Sequence, residues 1–234
     1  QNKGAAGFYD HVGLRNPYAD VQARQAPAVR LNQLQEQAFQ TLSRLLEHPE
    51  KPALLYGVTG SGKTQVYLAL IQQCLEAGKT AVVLVPEIAL TAQTLESFHA
   101  RFGNQVAVLH SGLSLGERMD EWRRIKEGDA RIVVGTRSAV FAPVEHLGLL
   151  VIDEEQEHTY KSDKSPRFHA REIAKLRCRY HGALLLLASA TPAVESYHAA
   201  QTGRYELVEL TERFGSQPLP QVEIVDMRES ENLS

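Results

Sequence analysis

The segment Gly57-Val58-Thr59-Gly60-Ser61-Gly62-Lys63-Thr64 follows the apolar run Ala53-Leu54-Leu55-Tyr56 and precedes a stretch of helical periodicity. A Gly-x-x-x-x-Gly-Lys-[Ser/Thr] loop between a strand and a helix is a phosphate cradle, and it restricts the fold to those that carry one. Its glycines let the backbone wrap a polyphosphate with N–H groups, and the helix N-terminus adds positive potential. Gly57, Thr59, Gly60, Ser61 and Gly62 are expected to line a nucleoside triphosphate. Lys63 is expected to reach the β- and γ-phosphates and Thr64 to ligate Mg2+.

Alternating apolar runs and helical patterns surround this loop. Leu31, Leu34, Ala38, Leu42, Leu45 and Leu46 recur at helical spacing, and His48-Pro49 closes that helix. Strands are predicted at Thr80 to Val85, Gln105 to Leu109, Arg131 to Val134, Leu149 to Ile152 and Ala183 to Ala188. Helices are predicted from the loop to Ala77, from Ala92 to Phe102, from Ser114 to Gly128 with Met119, Trp122 and Ile125 facing inward, and from Ala170 to Tyr180. Continuous apolar strands between helices mean an α/β fold with a mostly parallel sheet covered on both faces. With 234 residues, 43% of them hydrophobic, one large domain is expected. Residues 1–30 read as a linker or the end of a preceding domain, 31–212 as the folded unit and 213–234 as a connector. The first residue is Gln1 and the last stretch is polar, which reads as a piece of a longer protein.

A net charge of −3 excludes a general basic coat and leaves room for a local groove. Cys74 and Cys178 each sit in a helical pattern, matching neither a zinc cluster nor a disulfide framework; buried free thiols in a reducing compartment are expected. The sequence carries no signal-peptide pattern and no apolar run of about 18 residues, so a soluble, cytoplasmic protein without membrane partners is expected.

The second chemical feature is Leu149-Leu150-Val151-Ile152-Asp153-Glu154-Glu155-Gln156, a strand delivering carboxylates at its C-terminal edge. Ligands of open α/β sheets bind at that edge. Asp153 is expected to hold Mg2+, and Glu154 to orient and deprotonate an attacking water. Lys63, Asp153 and Glu154 are therefore the catalytic candidates, and a base that activates water favours hydrolysis over transfer to a substrate hydroxyl.

Together these segments resemble superfamily 2 helicases, and more narrowly the PriA-type replication-restart family. Val85-Pro86-Glu87-Ile88-Ala89-Leu90-Thr91 looks like that family's motif Ia, and Leu109-His110-Ser111-Gly112 with Glu117-Arg118 and Trp122 follows its pattern. Gly135-Thr136-Arg137-Ser138-Ala139-Val140-Phe141-Ala142-Pro143 is similar to its GTRSA-F-P element, and Ser189-Ala190-Thr191-Pro192 to motif III. The resemblance runs from Leu31 to about Ser196 in the family's order. It implies a RecA-like P-loop NTPase lobe, with ATP and Mg2+ as cofactors and Gln35 reading the adenine edge. It also implies strand contacts from Thr91, Arg137 and Ser138, and from an aromatic-rich loop containing Tyr160, Lys161, Arg167 and Phe168. Ser189 and Thr191, at a helix expected to begin at Pro192, would relay the nucleotide state together with Gln156. The family has His at that last position; Gln cannot become cationic, so the departure bears on coupling.

By resemblance the whole protein would be a 3′-to-5′ DNA helicase acting on single-stranded and forked DNA. It would be cytoplasmic and nucleoid-associated, and would work with single-stranded-DNA-binding protein and other primosome proteins. A second lobe and a cysteine-rich zinc region, both features of the family, do not appear after Ser196, so zinc is expected downstream and not in this stretch. An arginine finger supplied by such a lobe is worth about 10³ to 10⁵ in rate, so this stretch alone is expected to hydrolyse ATP poorly. Alternative readings are a RecG-like or restriction-enzyme DNA translocase, or a nucleotide-dependent recruitment module that does not unwind.

Overall fold

A computed structural model describes residues 30–212. The expected linker, Arg30 apart, and the expected connector lie outside the described residues. Seven strands form the sheet: β1 (Ala53–Gly57), β2 (Thr80–Leu84), β3 (Val106–Leu109), β4 (Ile132–Gly135), β5 (Leu147–Asp153), β6 (Leu184–Ser189) and β7 (Glu206–Leu210). Their order is β3-β4-β2-β5-β6-β1-β7, and every paired neighbour runs parallel. All strand C-termini therefore share one edge. At its centre β6 lies between β5 and β1, which brings the carboxylates, Ser189 and the phosphate loop side by side.

Helices α1 (Gln33–Glu47), α2 (Lys63–Glu76) and α3 (Ala92–Phe102) cover one face, where Leu42, Leu70 and Phe98 pack on Leu55, Val83, Val151 and Leu186. Helices α4 (Leu115–Glu127), α5 (Ala170–His181) and α6 (Val194–Gln201) cover the other, where Ile125, Ala174, Cys178 and Ala200 meet Leu54, Val82, Leu150 and Leu187. Successive strand residues thus feed opposite cores, which is why these strands read as unbroken apolar runs. Asn32 with Gln35 and Ser114 with Glu117 form reciprocal capping boxes that fix where α1 and α4 begin.

Three expectations need correction. Strand β7 pairs with β1 at the sheet's edge but was not predicted, because Glu206 and Glu209 interrupt its apolar pattern. Helix α6 starts at Val194 with Ala193 as its cap residue, so Pro192 precedes the helix. On α4 the buried residues are Glu121, Arg124 and Ile125, whereas Met119 and Trp122 are exposed. Glu121 accepts from the edge-strand amide of Val108 at 2.7 Å and from Arg124 at 2.6 Å, and Arg124 also donates to the Asn104 carbonyl at 2.6 Å. This ion pair supplies hydrogen bonds to an edge that no further strand covers among the described residues, so α4 turns charged residues toward the sheet.

Cys74 and Cys178 are both free and buried. Burial pushes each thiol up to about 12, so at pH 8 the nucleophilic thiolate is a trace. Ellman's reagent at pH 8 should find no reactive thiol in the native chain and both after unfolding in urea; stoichiometric reaction of the folded protein would contradict this packing.

Candidate nucleotide site

The loop between β1 and α2 has the backbone that a phosphate cradle requires. Gly60 and Gly62 both adopt left-handed conformations, with φ of 80° and 82°. Gly62 is constrained twice, because a Cβ there would lie 2.1 Å from Gln35 Nε2. At the start of α2 the Gln65 and Val66 amides donate to the Gly62 carbonyl at 2.9 and 3.4 Å, while the first amides of any helix lack intrahelical acceptors and can receive an anion. Ser61 Oγ is buried without a hydrogen-bond partner, a polar group whose cost a bound anion would remove. Lys63 is buried, with Nζ donating to the Gly57 carbonyl at 2.8 Å. Burial lowers its pKa, against the attraction of Glu154 and Asp153. These features fit a polyphosphate.

Gln35 departs from its expected role. Its side chain is fully buried: Nε2 donates to the Ser61 carbonyl at 3.0 Å, and Oε1 accepts from Asn32 N–H at 3.0 Å. The amide is occupied bracing the phosphate loop from below and is not presented to an adenine edge.

Asp153 ends β5. Burial, reinforced by neighbouring Glu154, raises its carboxyl to about 6. The Tyr67 hydroxyl, one helical turn beyond Lys63, donates to Asp153 Oδ2 at 3.1 Å, and Glu154 N–H donates to Oδ1 at 3.1 Å. Nothing in the sequence singled out Tyr67; its signal is an aromatic four positions after the loop lysine, on the face that also carries the apolar core. Glu154 has φ of 45°, the one positive φ outside glycine among the described residues. Such a backbone persists only where its surroundings hold it.

The surroundings are specific. Glu155 is buried, with Oε1 accepting from Ala193 N–H at 2.7 Å and Oε2 accepting from Arg171 Nη1 at 3.0 Å and from Ser196 Oγ at 2.9 Å. Arg171 Nη1 also donates to Ser196 Oγ at 2.9 Å. One carboxylate therefore ties the end of β5 to the first turns of α5 and α6. The sequence pattern gives Glu155 no role of its own; its burial distinguishes it. On the other side, Gln156 Nε2 donates to Glu154 Oε2 at 2.9 Å, and Ser189 Oγ donates to Gln156 Oε1 at 2.5 Å. Ser189 Oγ in turn accepts from Thr191 N–H at 2.9 Å. The structure thus brings Glu154, Gln156, Ser189 and Thr191 into one connected chain.

Further along the same edge, Thr91 is exposed while capping α3, its hydroxyl accepting from Thr94 N–H at 3.2 Å. Ser138 is exposed and Arg137 half-buried. Arg137 donates to the carbonyls of Thr159 and Lys161, and its guanidinium lies 5.9 Å from the Phe168 ring. Phe168 meets Phe141 edge-on at 5.0 Å, and Phe141 is exposed, an aromatic the sequence reading left without a role. Lys161 and Arg167 are exposed on the loop. Tyr160 is a correction: it is 1% exposed, and its hydroxyl donates to the carbonyls of Asp153 and Leu84 at 2.6 and 3.1 Å. It supports the carboxylate strand from within the core and offers no face for a base to stack on.

Residues 32–200 match the model of the DEAD/DEAH box helicase family. The chain is similar to the replication restart protein PriA of Bacillus subtilis, 50% identical over 94% of this chain and 28% of that protein. It is 40% identical to PriA of Haemophilus influenzae over 91% of this chain and 28% of that protein. It therefore spans little more than a quarter of these curated relatives. Among solved structures, RecG bound to a three-way DNA junction is 26% identical with a TM-score of 0.58, covering 81% of this chain and 25% of that one. The helicase domain of Pyrococcus furiosus Hef shares the fold at 18% identity, with a TM-score of 0.51 over 74% of this chain and 37% of that one.

Removing Arg171 would leave the Glu155 carboxylate buried and uncompensated. Arg171→Ala should lower stability by about 3 kcal/mol in urea unfolding, and Ser196→Ala by about 1 kcal/mol. Equal, small losses would mean that Glu155 does not depend on its cation.

Proposed function

Because the chain belongs to the DEAD/DEAH box helicase family, we propose that it is the first RecA-like motor lobe of a PriA-type replication-restart helicase and the part that binds ATP. The observation that carries this reading is the adjacency of three strand ends. The phosphate loop follows β1, Ser189 ends β6, and Asp153-Glu154 closes β5, with β6 between the other two. In this reading Gly57, Thr59, Gly60, Ser61, Gly62 and Lys63 bind the triphosphate. Thr64 and Asp153 are the residues that would hold Mg2+, a cation that would neutralise phosphate charge during transfer. Glu154, aimed by its left-handed backbone and by Gln156, takes the proton of the attacking water.

The exposed edge carrying Thr91, Arg137 and Ser138, with Phe168 and Phe141 beside Arg137 and with Lys161 and Arg167 on the adjoining loop, supplies hydroxyls, cations and aromatic faces for a single strand. ATP hydrolysis would drive translocation along that strand. The 3′-to-5′ polarity, the forked substrate, the partnership with single-stranded-DNA-binding protein and other primosome proteins, and a cytoplasmic, nucleoid-associated setting are supported by the likeness to PriA proteins. Among the described residues no helix is long and apolar enough to cross a membrane. The zinc region belongs, in this reading, to other parts of the protein. Hydrolysis needs a second lobe, so this stretch alone should bind ATP and turn it over slowly.

Titration of the chain with a fluorescent ATP analogue tests the nucleotide site. Lys63→Ala should weaken binding at least tenfold, and unchanged affinity would sink the assignment. In the longer helicase of which this lobe is proposed to be part, Glu154→Gln should leave ATP affinity within about twofold while reducing DNA-stimulated turnover about a hundredfold or more. Turnover that survives the change would put the base elsewhere.

A further inference from the structure

Helix α4 has an anomaly that the nucleotide site does not explain. Its sheet-facing side is charged, because Glu121 and Arg124 satisfy the backbone of edge strand β3. Its apolar residues are consequently left outside. Leu115, Met119 and Trp122 recur at i, i+4 and i+7 and are 73%, 59% and 43% exposed. A stripe with this spacing is what a helix presents to another helix. Arg118, Arg123 and Lys126 flank it and, with Met119, Trp122 and Glu127, line an open hollow of about 580 Å³. The patch is cationic on a chain whose net charge is −3.

We propose that the outer face of α4 is a docking surface for an amphipathic helix with acidic flanks, contributed by a partner protein. The apolar face of that helix would lie along Met119 and Trp122, and its carboxylates would meet Arg118, Arg123 and Lys126. An unpaired nucleic-acid strand fits less well: strand platforms use successive aromatics, whereas Trp122 is the one aromatic here and the rest of the stripe is aliphatic. A second copy of the chain would set these cations against each other. The half-exposed tryptophan is the natural anchor, since tryptophan and arginine are the residues most enriched among those that carry the energy of such contacts.

Trp122 is the only tryptophan in the chain, so its fluorescence reports on this surface directly. The probe is a synthetic helical peptide of about five turns with leucines at i, i+4 and i+7 and glutamates on both flanks. Its charge-reversed twin carries lysines instead of the glutamates. The acidic peptide should shift Trp122 emission to shorter wavelength, saturate in the micromolar range and weaken with salt. Met119→Asp and Arg123→Glu, both solvent-side changes that should leave the melting temperature unaltered, should each weaken it about tenfold. The proposal is overturned by the absence of a saturable shift, by an equal response to the lysine twin, by oligo-dT producing the shift instead, or by a shift that follows protein concentration alone, which would indicate a second copy.

Discussion

The carboxylate of Glu155, held away from solvent by Arg171, Ser196 and the Ala193 amide, is the interaction on which the arrangement of the site depends. A parallel sheet brings strand ends to one edge but does not by itself set the directions in which the chains leave it. Here three departures are fixed by one charge: β5 turning out of the sheet, α5 returning to it, and the segment after β6 entering α6. Burying a carboxylate costs several kcal/mol unless it is fully bonded, so the native geometry is the one in which its three donors converge. Glu154 sits immediately before this anchor with φ of 45°. The strained residue is bracketed by Asp153, fixed from α2 through Tyr67, and by Glu155, fixed from α5 and α6.

The sheet was largely legible in the sequence because its strands are buried on both faces. A strand with two apolar faces writes itself as a continuous run, as Leu149 to Ile152 and Ala183 to Ala188 do, and the loop glycines announce the turn between β1 and α2. What escaped notice follows from the same physics in reverse. β7 is an edge strand with glutamates, so its pattern is broken. On α4, a helix-period reading assigns the inward face to the most apolar residues, but an unpaired strand edge needs hydrogen-bonding groups more than it needs hydrocarbon. Glu121 and Arg124 therefore won the inward positions, and Met119 and Trp122 were displaced to solvent.

The site was legible in its residue types but less so in their duties. Lys63, Asp153 and Glu154 are where the loop and strand patterns put them. Gln35 and Tyr160 are near the site, yet both are buried and bonded to backbone carbonyls, one under the phosphate loop and one beneath β5. A polar side chain reads identically in sequence whether its hydrogen-bonding groups meet a ligand or the protein's own backbone. Tyr67, Glu155 and Phe141 were missed for the complementary reason: each belongs to a common class of residue, and only burial or juxtaposition gives it a role.

Gln156 shows how far a departure from a family's pattern can be understood from geometry. Its amide is oriented by its neighbours: exchanging nitrogen and oxygen would set two acceptors against each other at Glu154 Oε2, so the donor end must face Glu154 and the acceptor end Ser189. A neutral histidine could offer the same two functions, one N–H and one lone pair, but could also take up a proton and become a donor at both ends. Ser189 would then have to reverse its hydroxyl and give up accepting from Thr191 N–H or direct its own hydrogen elsewhere. With glutamine that rearrangement is closed. The link from Glu154 to Ser189 keeps one polarity at every physiological pH, and any change in it must come from movement of β5 and β6 ends and not from titration of the residue between them.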